Sequence, residues 1–231
     1  MRVAISIYRG GRSQTAFADT EAGALLEAEA PQDPGVALVA RTAVYEPIDH
    51  ATAPLFLVRG VATVAALDPA PRRRTRCALC GMTRQRDLPA GGYRVTAELF
   101  GSHDLVRSHQ EWLVSARLGE RLRDRRGGTL HPLRGASGYL LRCGASLGWP
   151  SDGTKWDDPC DTCGQRTGAT PPTWIAGVNT FARDAWQGDD LVGIGPMPSA
   201  LVVSRGVRRL LEEPGWRITG LNFEPVLLES V

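Results

Sequence analysis

Two Cys-x-x-Cys-Gly segments, Cys77-Ala-Leu-Cys80-Gly81 and Cys160-Asp-Thr-Cys163-Gly164, constrain this chain more than any other feature. Two thiolates at that spacing bend around one side of a metal ion. The glycine after the second cysteine allows the tight turn that aims backbone N–H groups at the sulfurs. Two such knuckles supply the four ligands of a closed tetrahedral zinc site, with Zn–S near about 2.3 Å. Cys80 and Cys160 are 80 positions apart (160 − 80). If the pairs share one ion, the metal fixes the topology. Four thiolates leave no coordination position for water, so such a zinc holds the fold and activates no nucleophile. The fifth cysteine, Cys143, has no partner motif and reads as a buried small hydrophobe. An odd count also argues against an all-disulfide framework, which belongs mostly to small secreted chains.

The chain's 231 residues are enough for one large domain or two small ones. Hydrophobic content of 42% and charged content of 23% are ordinary for a soluble globular protein. No apolar run approaches the roughly 20 residues that cross a bilayer. The first eight residues alternate like a strand rather than a secretion signal, so a cytoplasmic location without membrane partners is expected. A net charge of +2 does not by itself imply a polyanion partner.

The coarse pattern is α+β: mixed and antiparallel sheets, a few helices, and the four-cysteine pair inserted as a zinc-ribbon-like element. Residues 1–70 read as a β-rich region, and 71–231 as an α+β region carrying both knuckles, or the two as one continuous domain. Strands are expected near residues 2–8, 36–45, 55–67, 93–100, 139–141, 191–194 and 201–203. Gly60 marks a bulge or turn. A short helix is expected over 21–30. A long one is expected from a Ser102 cap to about Arg126, on the stripe Leu105, His109, Trp112, Leu113, Ala116 and Leu122. Ser204 caps a short helix with Val207, Leu210 and Leu211 inward, stopped by Pro214-Gly215. Residues 217–228 close the chain as a strand or hairpin. Beyond the knuckles no internal repeat stands out.

Two further constellations carry chemistry. Arg72, Arg73, Arg74, Arg76, Arg84 and Arg86 surround the first knuckle without an intervening acid. A zinc ribbon edged this way could grip nucleic-acid phosphates, although few aromatics are interleaved for base stacking. His109-Gln110-Glu111 with Pro159-Cys160-Asp-Thr-Cys163 outlines a zinc nucleobase deaminase, in which His109, Cys160 and Cys163 would hold zinc and Glu111 would shuttle protons. That outline leaves the first knuckle unexplained and puts His109 on an apolar stripe. No nucleophile elbow or P-loop is present, and the sequence gives no catalytic set.

The paired Cys-x-x-Cys-Gly motifs resemble the double-CXXCG motif family, a paralogous myxobacterial group that includes immunity proteins against swarm-inhibition toxins. The tail is similar too: Val203-Ser204, then Val207-Arg-Arg-Leu210-Leu211, Gly215, Gly220 and Phe223-Glu-Pro225-Val226. The resemblance covers about residues 77–86 and 158–228, and the N-terminal region departs from it. It implies a non-enzymatic protein that binds and neutralises a cognate protein toxin. If that toxin attacks nucleic acid, an acidic face is expected, and Asp157, Asp158, Asp161, Asp189 and Asp190 are the candidates.

Overall fold

The alternation of residues 2–8 forms a strand. In a computed structural model describing residues 2–9, 12–29, 36–64, 67, 79, 92–108, 111–148, 160–162, 180–194 and 197–229, β1 (Arg2–Arg9) lies between β2 (Arg12–Phe17) and β3 (Val36–Val44). All three are antiparallel, and α1 (Glu21–Glu29) packs on β1 and β2. Helix α2 (Pro47–Thr52) begins on a proline, where the missing N–H costs nothing, and leads into β4 (Leu55–Arg59).

The central residues depart from expectation. Ser102 does not start a long helix. It ends α3 (Leu99–Ser102), after which β5 (Leu105–Ser108) and β6 (Glu111–Ser115) form an antiparallel hairpin and only Ala116–Leu122 is helical, as α4. The stripe was real but belonged to two periods. Leu105, Trp112 and Val114 face one core from the hairpin, Val106 and Leu113 face another, and the 3.6-residue period begins at Leu118. Segment 93–100 is not a full strand either, contributing one bridge at Arg94 before α3. Then come β7 (Gly128–Pro132), β8 (Gly138–Cys143), β9 (Ala145–Ser146), β10 (Thr180–Ala182), β11 (Leu191–Ile194), β12 (Met197–Ser204), α5 (Arg205–Glu212) and β13 (Asn222–Glu229). One sheet runs β5-β6-β8-β7 and another β10-β13-β4-β12-β11-β9. The outcome is α+β with several largely antiparallel sheets and few helices. No helix among the described residues is long and apolar enough to cross a membrane.

These two sheets are built alike, and the likeness is a repeat the sequence reading did not find. In each, an aspartate precedes a hairpin, and a serine ends the hairpin and caps a helix. Ser115 N donates to Asp104 O at 2.9 Å, and Ser204 N to Asp190 O at 2.8 Å. Each serine Oγ then accepts from the helix's third N–H, Leu118 or Val207. The next residue donates to the carbonyl just before a neighbouring strand: Ala116 to Ser137 and Arg205 to Pro54, both at 3.0 Å. Those strands, β8 and β4, sit in the same register: Ser115 lies opposite Gly138 and Ser204 opposite Leu55. Beyond them lie β7 and β13, with Pro132 opposite Tyr139 and Pro225 opposite Phe56. The parallel bridge Arg94–Arg134 corresponds to Thr180–Leu227.

The matching residues are offset by 83 positions at β4 and β8 (138 − 55), 86 at the aspartates (190 − 104), 89 at the serines (204 − 115) and 93 at the prolines (225 − 132). In chain order each unit runs strand, knuckle segment, hairpin, helix, strand. The leading strands are exchanged: β4 of the first unit pairs with β12 and β13 of the second, and β8 of the second pairs with β6 and β7 of the first. Each then returns to its own unit, where Val64 N reaches Arg107 O and Leu147 N reaches Gly193 O.

The main core draws on both units. Phe56, Val58, Leu105, Trp112, Val114, Leu118, Leu141, Leu201, Val203, Val207 and Phe223 form one buried cluster. A fully buried side chain of this kind contributes about 1.5–3 kcal/mol, so neither unit holds its share of core without the other. At the crossing, Gly60 (φ +70°) and Gly220 (φ +75°) meet backbone to backbone. A Cβ on Gly60 would stand 2.1 Å from the Gly220 carbonyl oxygen. Only glycine fits there.

Candidate functional site

Duplication supplies an internal control: what both units share is required by the fold, and what one unit alone carries needs another reason. The Asp–Ser node is shared. Ser115 Oγ donates to Asp104 Oδ1 at 2.6 Å, and Ser204 Oγ donates to Asp190 Oδ1 at 2.5 Å. The arginine contacts to the aspartate are not shared. Asp104 also accepts from Arg117 Nε at 2.8 Å, from Arg117 Nη2, and from Arg217 through its backbone N at 2.8 Å and its Nε at 3.4 Å. Two residues past the serine, where the first unit has Arg117, the second has Gly206. No guanidinium reaches Asp190 among the described residues. Arg126, whose carbonyl accepts from Asp190 N as that of Arg217 accepts from Asp104 N, turns its side chain to Asp189 (3.8 Å) and to Gln187 O (3.4 Å).

Asp104 is fully buried. Burial alone would push its carboxyl up. The hydrogen bonds from Arg117, Ser115 and Arg217 outweigh that and hold it well below the usual carboxylate range. The arginines are fixed from other sides as well. Arg117 lies over the Trp216 ring at 4.7 Å and donates to Gly215 O at 2.6 Å, while Arg217 donates to Gly101 O and, at 3.0 Å, to Phe100 O. Both side chains remain about half exposed (50% and 46%). They line an open cleft of about 550 Å³ with Phe100, Ala136 and Ser137.

The second unit has a cleft of about 540 Å³ at the matching place, lined by Ala53, Pro54, Trp186, Leu227 and Leu228 with Arg183. Trp186 replaces Phe100 four residues before the aspartate, and Ala53-Pro54 replace Ala136-Ser137 before the exchanged strand. The first cleft carries two guanidiniums over a buried carboxylate, and the second carries Arg183 alone.

Of the four expected zinc ligands, Cys77, Cys80 and Cys163 lie outside the described residues. Cys160 is half-buried at the start of a turn. Leu79 and Thr162, the third residue of each knuckle, are both exposed turn residues. Among the described residues no group of three or more His, Cys, Asp or Glu is placed to hold a metal. Cys143 packs against the main core, and burial pushes its thiol up to about 12, as suits an unreactive side chain. His109 and Arg72 to Arg86 also lie outside the described residues. Glu111 sits on β6 in an ion pair with Arg142 at 2.6 Å. Of the acidic candidates, Asp161 is exposed, Asp190 is committed to Ser204, and Asp157 and Asp158 lie outside the described residues. The Asp104 node went unread in the sequence, although Asp-Leu-Val before a hairpin and Val-Ser before a helix occur twice. No protein-family model and no curated protein matches this chain.

Proposed function

We propose that this chain is a cytoplasmic binding protein that neutralises a cognate bacterial toxin by covering it, its fold held by one structural zinc through Cys77, Cys80, Cys160 and Cys163. The observation that supports this most is an offset. Cys77 and Cys160 are 83 positions apart (160 − 77), the same offset that relates β4 to β8. The knuckles therefore fall at corresponding positions of the duplicated sequence, which supports their serving as matching halves of one site. Two thiolates from each unit make a tetrahedral set, saturated and without a place for water. A scaffold tied by exchanged strands and a saturated metal suits occlusion, because a pre-organised face loses little entropy on docking. The experiment is co-expression with the product of the adjacent gene. Restored growth together with a co-purifying complex supports the reading, and neither rescue nor complex removes it.

The nucleic-acid reading rests on the arginines of the first knuckle. At the positions matching Arg74 and Thr75, the second knuckle has Asp157 and Asp158. In sequence the repeat thus gives one knuckle a basic flank and the other an acidic one, so the second knuckle does not repeat the phosphate-binding pattern. Affinity for single-stranded DNA that falls steeply with salt, and that needs Arg72 to Arg76, would favour this alternative.

A further inference from the structure

We infer that the cationic cleft of the first unit is a binding site for an oxyanion, a carboxylate or phosphate group held by Arg117 and Arg217. The cleft sets two guanidiniums against one carboxylate, which leaves one surplus positive charge. Asp104 is fully buried beneath them while both arginine side chains stay half exposed, so an incoming anion meets the cations first. Donor capacity is left over. A guanidinium has five N–H groups. Arg117 spends Nε and both Nη2 protons on Asp104 and Gly215, which leaves the two on Nη1. Arg217 spends Nε and one proton on each terminal nitrogen, which leaves one on each.

These donors are pre-organised. Asp104 grips both side chains, Trp216 lies under one, and two backbone carbonyls hold the other. Fixed forks suit planar or tetrahedral oxyanions better than a mobile ammonium does. The fold does not require them, because the second unit builds the same Asp–Ser node with Gly206 in place of Arg117 and, among the described residues, no guanidinium on the carboxylate. This site is independent of toxin neutralisation and stands or falls separately from it.

The test is a titration of the full-length, zinc-loaded chain with sodium phosphate and, separately, sodium succinate, at constant ionic strength set with chloride, followed by amide and indole NMR shifts. Saturable shifts are expected at Gly101, Ala116 and Ser137, with the Trp186 indole of the matching cleft unmoved. The stronger of the two probes identifies which oxyanion the cleft prefers. Arg117→Lys keeps the charge but loses the fork, and should weaken binding at least fivefold; Arg217→Lys serves if that variant does not fold. Shifts of equal size at both clefts, or none in the wild type, overturn the proposal, as does unchanged affinity in a folded lysine variant.

Discussion

The two units share a backbone plan and differ in what they place on it. In the first, Asp104 is a sealed hub that gathers a serine, two guanidiniums and a backbone N–H under an open cleft. In the second, Asp190 bonds Ser204, while Arg126 turns away and Arg205 Nη2 donates to Ala53 O at 2.7 Å. The difference separates necessity from elaboration. Carboxylate, serine cap and exchanged strand recur because they join hairpin, helix and sheet, whereas Arg117, the turn of Arg217 onto the carboxylate, and Trp186 each occur on one side of the repeat alone. Ligand chemistry is therefore to be sought in the residues that break the repeat.

The sharpest way to break this comparison is at the knuckles. If they are matching halves of one site, Cys77→Ser and Cys160→Ser should destabilise alike, because either removes a ligand from a metal that contributes on the order of 10 kcal/mol. Thermal unfolding of the two variants with bound zinc would measure this, and a large loss from one with none from the other would make the halves unequal.

Next come the carboxylates. Asp104→Ala should cost about 3–5 kcal/mol, because it strips the acid from a buried ion cluster, and Asp190→Ala about 1–2 kcal/mol, the loss of a hydrogen-bond acceptor. Urea unfolding separates the two. Acid sharpens the contrast. The Asp104 carboxyl is held below its unfolded value of about 3.9, so its contribution is complete above that pH and drains away as the pH falls further. Asp104→Asn should flatten this acid limb of the stability curve.

The strand crossings differ in tightness. Gly60→Ala should cost more than about 2 kcal/mol, from a left-handed φ and a carbonyl 2.1 Å away. Gly144→Ala should stay within about 0.5 kcal/mol, since its Cβ would meet the Gly127 oxygen at an ordinary 3.9 Å. The shared caps fall between these two glycines. Ser204→Ala should lose about 1 kcal/mol in chemical unfolding, and Ser115→Ala somewhat more, because the carboxylate that loses its donor there is fully buried, unlike Asp190.

Local signals carried the elements whose own residues decide them. Helix α1 begins at Glu21, α5 follows the Ser204 cap with Val207, Leu210 and Leu211 buried, and Gly60 takes a positive φ. Long-range pairing was illegible. The stripe from Leu105 to Leu122 satisfied a helical period because a two-faced hairpin followed by a short helix also spaces apolar residues irregularly by three and four. The duplication was hidden because its offset drifts from 83 to 93 as the hairpins and turns lengthen, so no single shift aligns the two copies. The candidate zinc ligands stood out through spacing alone. The Asp104 site did not, since its parts come from positions 104, 115, 117 and 217 and converge only after the exchanged strands pair.

The most direct measurement is the metal content of the purified chain, with cobalt substituted for zinc to report the ligands. The account predicts one ion per chain with an intense tetrahedral-thiolate spectrum, abolished equally by Cys77→Ser and by Cys160→Ser. Two ions per chain, or a full complement of metal surviving the loss of either knuckle, would contradict it.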